Sequence, residues 1–536
     1  MNNIITNPIL RGFNPDPSII RVDDVFYIAT STFEWFPGVQ IHRSRNLSEW
    51  QLVGQALNRK SQLDMKGTPD SCGVWAPCLS YSNGIFYLVY SNVRSFDGPW
   101  KDTPNYLVTT TNIEGSWSEP TYLNSNGFDA SLYHDEDGKK WLVNMVVDHR
   151  NGRFFGGIQL QEFDTETKEL IGDTYDIFPG TELGCTEGPH IYKRNGWYYL
   201  LTAEGGTEYG HAVSIARSRA ITGPYELHPH NPIVTAKDDA QAHFQRTGHG
   251  DLVETATGQW YAVYLGSRPL MPRRRCILGR ETLIEEIVWE NDWPQLSHPE
   301  KTTRLHIQGL NAPSLPYKPA PSLDHFNETN LSLIWQSLRV PINESWLSLH
   351  ERPGYLRLRG RESLSSTHSQ SFIARRLQAF HVQASCQLDF QPESFQQMAG
   401  LVCYYNTNHY IYLYVSAADA QPNKNQLKIM KVDNGVATEP ETAITVFSRH
   451  EPVHLKLNWN KSSLQFSYSH TNAPGSWVSI GPELDGSILS DDYVRYGGHK
   501  YRAAFTGAFI GLNCQDLTGK GITADFDWFS YEEFDE

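Results

Sequence analysis

The sequence predicts an all-β protein, a five-bladed β-propeller followed by a lectin-like β-sandwich, and three observations carry that expectation. A short aromatic and aliphatic segment recurs five times in the first part of the chain, a proline-rich stretch follows it, and period-two alternation of apolar and polar residues fills the last third. Composition agrees with this reading, since 15 Trp, 27 Tyr and 24 Phe beside 41 Gly and 30 Pro suit short strands joined by turns.

Taken in chain order, the recurring segments are Asp24–Ile28 (DVFYI), Gly84–Leu88 (GIFYL), Gly138–Leu142 (GKKWL), Gly196–Leu200 (GWYYL) and Gly258–Ala262 (GQWYA). Aligned on Tyr27, Tyr87, Trp141, Tyr199 and Tyr261, they are spaced by 60, 54, 58 and 62 residues. A period near that of kelch and WD blades predicts five blades over residues 1–312. Eleven residues before Tyr27 lies Asp16, and twelve before the other anchors lie Trp75, Asp129, Glu187 and His249. Equivalent positions of successive blades surround a propeller axis, so these five side chains are expected to face one another.

Each has a simpler structural role on its own. Asp16 lies between two prolines as turn formers do, Asp129 and Glu187 precede Ala130 and Gly188 at loop ends, Trp75 suits any core, and His249 suits a hydrogen-bonded loop. Their shared phase is what favours chemistry. Two carboxyl groups held at different protonation states are the equipment for breaking an acetal: one protonates the leaving oxygen while the other activates water or attacks carbon. A third carboxylate nearby raises the acid's pKa by like-charge repulsion. Asp16 on the first blade and Glu187 on the fourth stand across the axis with room for water, which predicts inversion rather than retention; Trp75 supplies a platform for a sugar ring.

Composition argues against other classes. With 45 Lys+Arg against 60 Asp+Glu the net charge is −15, the wrong sign for nucleic acid or an anionic membrane. There is no run of eighteen apolar residues, and the start lacks the basic and apolar blocks of a leader, so neither a membrane span nor a secretory signal is expected. Seven cysteines without a CxxC pair fit reduced thiols and a cytoplasmic location. No GxxxxGK[ST] loop, GxSxG elbow or HExxH helix is found, and no cofactor is expected. Among metals, a calcium ion near the axis beside His249 is compatible with the pattern.

The segments Arg11–Ser18 (RGFNPDPS), Phe33–Gly38 (FEWFPG), Gly73–Pro77 (GVWAP), Asn126–Ser131 (NGFDAS), Thr186–His190 (TEGPH) and Gly279–Thr282 (GRET) closely resemble those of β-xylosidases of glycoside hydrolase family 43. The likeness runs the length of the chain. It implies an inverting, exo-acting enzyme that releases xylose from the non-reducing ends of β-1,4-xylooligosaccharides, with Asp16 as general base, Glu187 as general acid and Asp129 tuning and orienting that acid. It also places Phe33, Trp75, His249 and Arg280 around the substrate, with Arg280 bonding sugar hydroxyls and helping to hold Asp129 ionised; the simpler account of Arg280 is a surface residue of the basic run Arg273–Arg275. The loop between Gly266 and Arg280 is shorter than the resemblance leads one to expect. Many such enzymes also cleave α-L-arabinofuranosides, and many assemble as dimers or tetramers. A propeller lectin without chemistry is the alternative from another class.

Residues 313–322, containing Pro313–Pro321 (PSLPYKPAP), read as a linker. Beyond it, Tyr355–Arg359 (YLRLR), Tyr410–Val415 (YIYLYV), Val453–Leu457 (VHLKL) and Leu464–Tyr468 (LQFSY) alternate as half-buried strands do, which predicts a sandwich over 323–536. A structural partner of the propeller is favoured over a carbohydrate-binding module. By the same resemblance, Phe505 is the residue a sandwich loop contributes to the pocket mouth, restricting substrates to short oligomers.

Overall fold

The computed structural model describes residues 3–95, 98, 100–316, 320–419, 421, 423–440, 445–470, 476–496 and 502–534. Five antiparallel four-stranded units form the first domain. Blade 1 comprises Ser18–Val22, Val25–Thr30, Gly38–Ser44 and Gln51–Leu57, and blade 2 comprises Gly73–Ser82, Ile85–Val93, Asn105–Thr110 and Thr121–Asn124. Blade 3 comprises Ser131–His134, Lys140–Val147, Phe155–Asp164 and Glu169–Phe178. Blade 4 comprises Glu187–Arg194, Trp197–Glu204, Ala212–Ser218 and Glu226–Leu227, with Val234–Thr235 also paired to its third strand. Blade 5 comprises Gln245–Glu254, Trp260–Ser267, Glu281–Glu290 and Trp293–Leu296.

The sequence repeat has a direct geometric meaning. Every anchor aromatic lies on the second strand of its blade, opposite the first: Tyr27 faces Ile20, Tyr87 faces Ser80, Trp141 faces Tyr133, Tyr199 faces Tyr192 and Tyr261 faces Val253. Tight turns fix these registers. At Asn83–Gly84 and Asn195–Gly196 both residues have positive φ, the two-residue turn whose twist matches the flanking strands. Apolar layers then fill the spaces between blades, as where Ile19, Phe26 and Ile28 of blade 1 meet Val253, Tyr261 and Ile284 of blade 5. The ring is closed by Ile4–Thr6, paired antiparallel with His306–Gln308, and by Asn7, whose side chain exchanges hydrogen bonds with the backbone of Ile284 at 2.9 and 2.8 Å.

Two sheets make up the second domain. One runs through Leu347–Ser348, Leu356–Arg359, Thr523–Glu533, His381–Phe390, Val453–Asn460, Ser463–Ser469 and Val478–Asp485; the other is built on Lys424–Asp433, His409–Ala417, Gln397–Asn406, Phe509–Asp516 and Ser371–Arg376. Their apolar faces enclose one core. Of the expected linker 313–322, residues 317–319 lie outside the described residues.

The domains are less separate than a linker suggests. The second sheet ends with Gln336–Leu338, which pairs with Trp35–Phe36 of the propeller, so one sheet contains strands of both domains. Trp35 is fully buried and stacks on Phe509 at 3.8 Å between centroids. From the other direction, Ile277 and Leu278 of the blade 5 loop enter the sandwich core. Arg339, also fully buried, donates to the Thr68 carbonyl at 2.6 Å and to Asp70 at 2.8 Å. Among the described residues no helix is long and apolar enough to cross a membrane, and all seven cysteines are free.

Because the tryptophan is shared by both cores, Trp35→Ala is expected to cost about 3–5 kcal/mol. A calorimetric scan should still show one transition for the wild type; two well-separated wild-type transitions would mean that the joint sheet does not couple the domains.

Candidate active site

A cavity of about 360 Å³ is lined by Asp16, Asp129, Glu187, His249, Arg280, Phe33, Trp75 and Phe505, all eight of the side chains expected from the sequence. All are more than nine-tenths buried. The backbone explains why they converge. Asp16, Asp129 and His249 have φ of 52°, 54° and 48°, while beside Trp75 and Glu187 it is Ala76 and Gly188 that take positive φ. Left-handed backbone is unfavourable for residues with a Cβ, so its recurrence in every blade, at the ring position or one residue after it, marks a built-in bend of the inner strand. In blades 2, 4 and 5 the ladder is irregular at this point.

The acids are held differently. Asp16 accepts hydrogen bonds from the Ser31 hydroxyl at 2.6 Å and from Arg280 Nη1 at 3.0 Å, and His249 Nδ1 lies 3.7 Å away. Burial alone would raise its pKa; Arg280, His249 and the Ser31 hydroxyl outweigh burial and hold the carboxyl below its ordinary value of 3.8. Asp129 has no such cation in contact. It accepts the Gly188 N–H at 3.1 Å, beside Glu187, while its own N–H donates to Ser91 Oγ at 3.2 Å. Burial first, then the charges of Glu187 and Asp16, push Asp129 well above the usual carboxylate range. Burial and the Asp16 charge raise Glu187 to about 8. The Asp129–Glu187 pair therefore keeps a proton at neutral pH while Asp16 is ionised. His249 is pushed down by burial to about 4 and stays neutral.

The guanidinium of Arg280 is paired with Asp16, not Asp129; its charge still draws the Asp129 pKa down, but burial and the charges of Glu187 and Asp16 outweigh it. Arg280 also donates to the Phe505 carbonyl, through Nη2 at 3.0 Å and Nε at 3.3 Å. The short loop before it reaches this position because Gly279, at φ 72°, lies against the sandwich; a Cβ there would stand 2.0 Å from the Thr506 carbonyl oxygen.

Phe33, Trp75, Phe128 and Phe505 form an apolar wall, with Trp75 edge-on to Phe128 at 5.2 Å and to Phe505 at 5.5 Å. The sandwich also steadies the opposite rim: Arg495 pairs with Glu208 at 2.7 Å, and Glu208 lines the cavity. Glu187 is anchored from behind, because the buried Glu204 accepts hydrogen bonds from Thr181 N–H, Thr181 Oγ1 and Thr186 Oγ1 at 2.6–2.9 Å. Phe128, Lys101, Phe154, Phe155 and Cys185 also line the cavity and were missed from sequence. Phe128, one residue before Asp129, carried a usable signal; Lys101, Phe154 and Cys185 lie outside the strands and Phe155 opens the third strand of blade 3, all away from the five repeat positions.

Asp129, Glu187 and His249 place potential ligand atoms within 4.8 Å of one another, so a metal ion could be held there. One imidazole and two carboxylates fit calcium poorly, since calcium takes six to eight oxygens.

Comparison with known proteins agrees with this geometry. Residues 5–294 match the family model for glycosyl hydrolases family 43, and residues 323–532 match that for the β-xylosidase C-terminal concanavalin A-like domain. A β-xylosidase of Bacillus subtilis (strain 168) is 47% identical over 99% of both chains, and a xylosidase/arabinosidase of Humicola insolens is 48% identical over 98% of this chain and 97% of its own. The crystal structure of a xylan β-1,4-xylosidase from Bacillus halodurans C-125 superposes with a TM-score of 0.95, at 47% identity, covering 99% of this chain and 100% of that one.

Replacing Arg280 by methionine removes the main cation facing Asp16, so its pKa should rise by about 1–3 units. Carboxyl carbon NMR titration of the two proteins measures this directly; an unmoved Asp16 would refute the assigned pairing.

Proposed function

The chain belongs to glycosyl hydrolases family 43, and from that premise we propose that it is an inverting exo-β-xylosidase acting on short β-1,4-xylooligosaccharides. The observation that carries this reading is the divergence of protonation states in one cavity: Asp16 held ionised by Arg280, and Glu187 raised to about 8 by burial and the Asp16 charge. In the proposed reaction Glu187 gives its proton to the glycosidic oxygen as the bond to the anomeric carbon breaks. Asp16 takes a proton from the water that attacks the opposite face of that carbon. Asp129, hydrogen-bonded to the Gly188 N–H beside Glu187 and sharing the pair's proton with it, orients Glu187 and tunes its proton affinity. Phe33, Trp75 and Phe505 pack on the sugar faces, and neutral His249 and Arg280 serve its hydroxyls. Closure of the mouth by the sandwich loop favours chain ends over internal bonds. No cofactor enters this scheme. A cytoplasmic site of action is part of the proposal and rests on the free cysteines; self-association into dimers or tetramers is proposed on family resemblance.

The similarity to the Humicola insolens xylosidase/arabinosidase supports a second activity on α-L-arabinofuranosides. Rates on matched aryl xyloside and aryl arabinofuranoside substrates set the balance, with the xyloside expected to be faster.

On a β-xyloside, proton NMR should show α-xylose as the first product, and β-xylose would defeat the inverting assignment. Asp16→Asn and Glu187→Gln should each lower kcat by about 10²–10⁴-fold. For the wild type, kcat/KM should fall above about pH 8, where Glu187 loses its proton, and on the acid side from about pH 4 downward, where first His249 and then Asp16 gain one. Unaltered turnover in both variants would overturn these two assignments, and a wild type without turnover would favour a binding protein.

A further inference from the structure

Behind the propeller face that carries Asp16, a second cavity of about 480 Å³ lies between blade 1 and the sandwich. Its walls come from the N-terminal stretch through Asn14, the strand bearing Gln40 and His42 with residues 48–52 after it, residues 332–334, and the end of the sandwich strand Ser371–Arg376. Three arginines and one histidine line it, with no carboxylate among its described lining residues; Arg11 is half-exposed and paired with Glu533 at 2.7 Å, which leaves Arg375 and Arg376 as its buried cations. In a chain of net charge −15 that concentration of one sign is unusual.

The polar atoms here are also left unsatisfied. Among the described residues, Asn14 Oδ1, Gln40 Nε2, His42 Nδ1, Ser48 Oγ, Arg375 Nε and Arg376 Nη2 are buried without a hydrogen-bond partner. Their side chains are not loosely placed. Asn14 and Gln40 are 3% and 2% exposed, and Arg375 and Arg376 are 8% and 6% exposed. Arg376 donates to the Phe13 carbonyl and to Gln336 Oε1, both at 2.5 Å, which aligns the guanidinium and leaves Nη2 over. Arg375 stacks on Tyr531 at 3.8 Å. Neither meets a carboxylate within ion-pair distance among the described residues. Burial lowers Arg376 to about 9, and burial with the Arg376 charge lowers His42 to about 3, so the histidine is neutral and does not add to the charge.

A buried guanidinium without a counter-ion is costly, and so is each buried donor without an acceptor. The unpaired donors among them, Gln40 Nε2, Arg375 Nε and Arg376 Nη2, converge on one cavity as a binding site for a missing acceptor does, whereas Asn14 Oδ1 is itself an acceptor and takes no part. We propose that this interdomain cavity is a binding site for a small oxyanion, a carboxylate or a phosphate, borne on a body no larger than a monosaccharide. The guanidinium groups of Arg375 and Arg376 and the Gln40 amide donate to its oxygens. Trp50, Leu52, Leu333 and Ile334 give the remainder an apolar wall. The site is separate from the catalytic cavity but shares the segment that carries Asp16, because Asn14 lines it while the Asn14 N–H donates to the Arg280 carbonyl at 2.9 Å.

Isothermal titration of the full chain with inorganic phosphate and with glucuronate, at constant ionic strength and against sodium chloride, tests this. At least one anion should bind saturably at one site per chain, and the stronger of the two identifies the oxyanion. Arg375→Met should weaken that binding by about tenfold or more, leave aryl xyloside hydrolysis unchanged and raise the melting temperature of the unliganded protein, since an uncompensated buried charge is gone. A merely structural arginine would lower that temperature. Should the variant fail to fold, Gln40→Leu must produce the same loss of affinity. No saturable binding by either anion, or binding unaltered in the variant that folds, overturns the proposal.

Discussion

The contact on which the site depends is the guanidinium of Arg280, buried between a carboxylate of blade 1 and a main-chain carbonyl of the sandwich. Toward Asp16 it supplies the positive charge that keeps a buried carboxyl ionised. Toward Phe505 it uses two further N–H groups, so the loop carrying Phe505 is fixed by the same group that sets the charge of Asp16. The planar fork of arginine allows both at once, and the single point charge of lysine would not. Much of the rest places that fork: Gly279 permits the loop to press against the sandwich, Ile277 and Leu278 bury themselves in the second core, and the Gln336–Leu338 strand joins the two domains through Trp35–Phe36.

Electrostatics inside the cavity follow from how few cations it contains. Three carboxyl groups are buried together, and the cation in contact with them belongs to Asp16. The other two must share protons, because ionising both beside a third negative charge in a water-poor cavity is prohibitive. A buried carboxyl is usually a liability for stability. Here the same cost is what separates a proton donor from a proton acceptor. Glu204 makes the arrangement rigid from behind by gathering three donors from the segment that leads into Glu187.

Much of this was legible in the sequence, for a physical reason. A propeller repeats one hairpin, so the anchor aromatics report the register of the first two strands, and counting back from them reaches the axis. Tyr27, Tyr87, Trp141, Tyr199 and Tyr261 all proved to be second-strand residues. What the repeat does not encode stayed hidden. Lys101 and Phe154 line the cavity from connections between strands, and Phe155 from the start of a third strand, none of them at a repeat position. The pairing of Arg280 with Asp16 instead of Asp129 depends on a distance, which no spacing along the chain reports. The strand shared by both domains is two residues long on the propeller side, too short for any periodicity, and Trp35 there reads as an ordinary core residue.

The left-handed bend at the head of each inner strand has a wider consequence. A left-handed residue occurs there once per blade, at the ring position itself for Asp16, Asp129 and His249 and one residue later beside Trp75 and Glu187, and the five positions carry an indole, an imidazole and three carboxyls. Such a ring behaves as a set of interchangeable sockets, in which chemistry can be exchanged without redesigning the scaffold. Divergence toward new sugars in proteins of this architecture would then proceed by swapping occupants of the ring and remodelling the outer loops, with the hairpins beneath left alone.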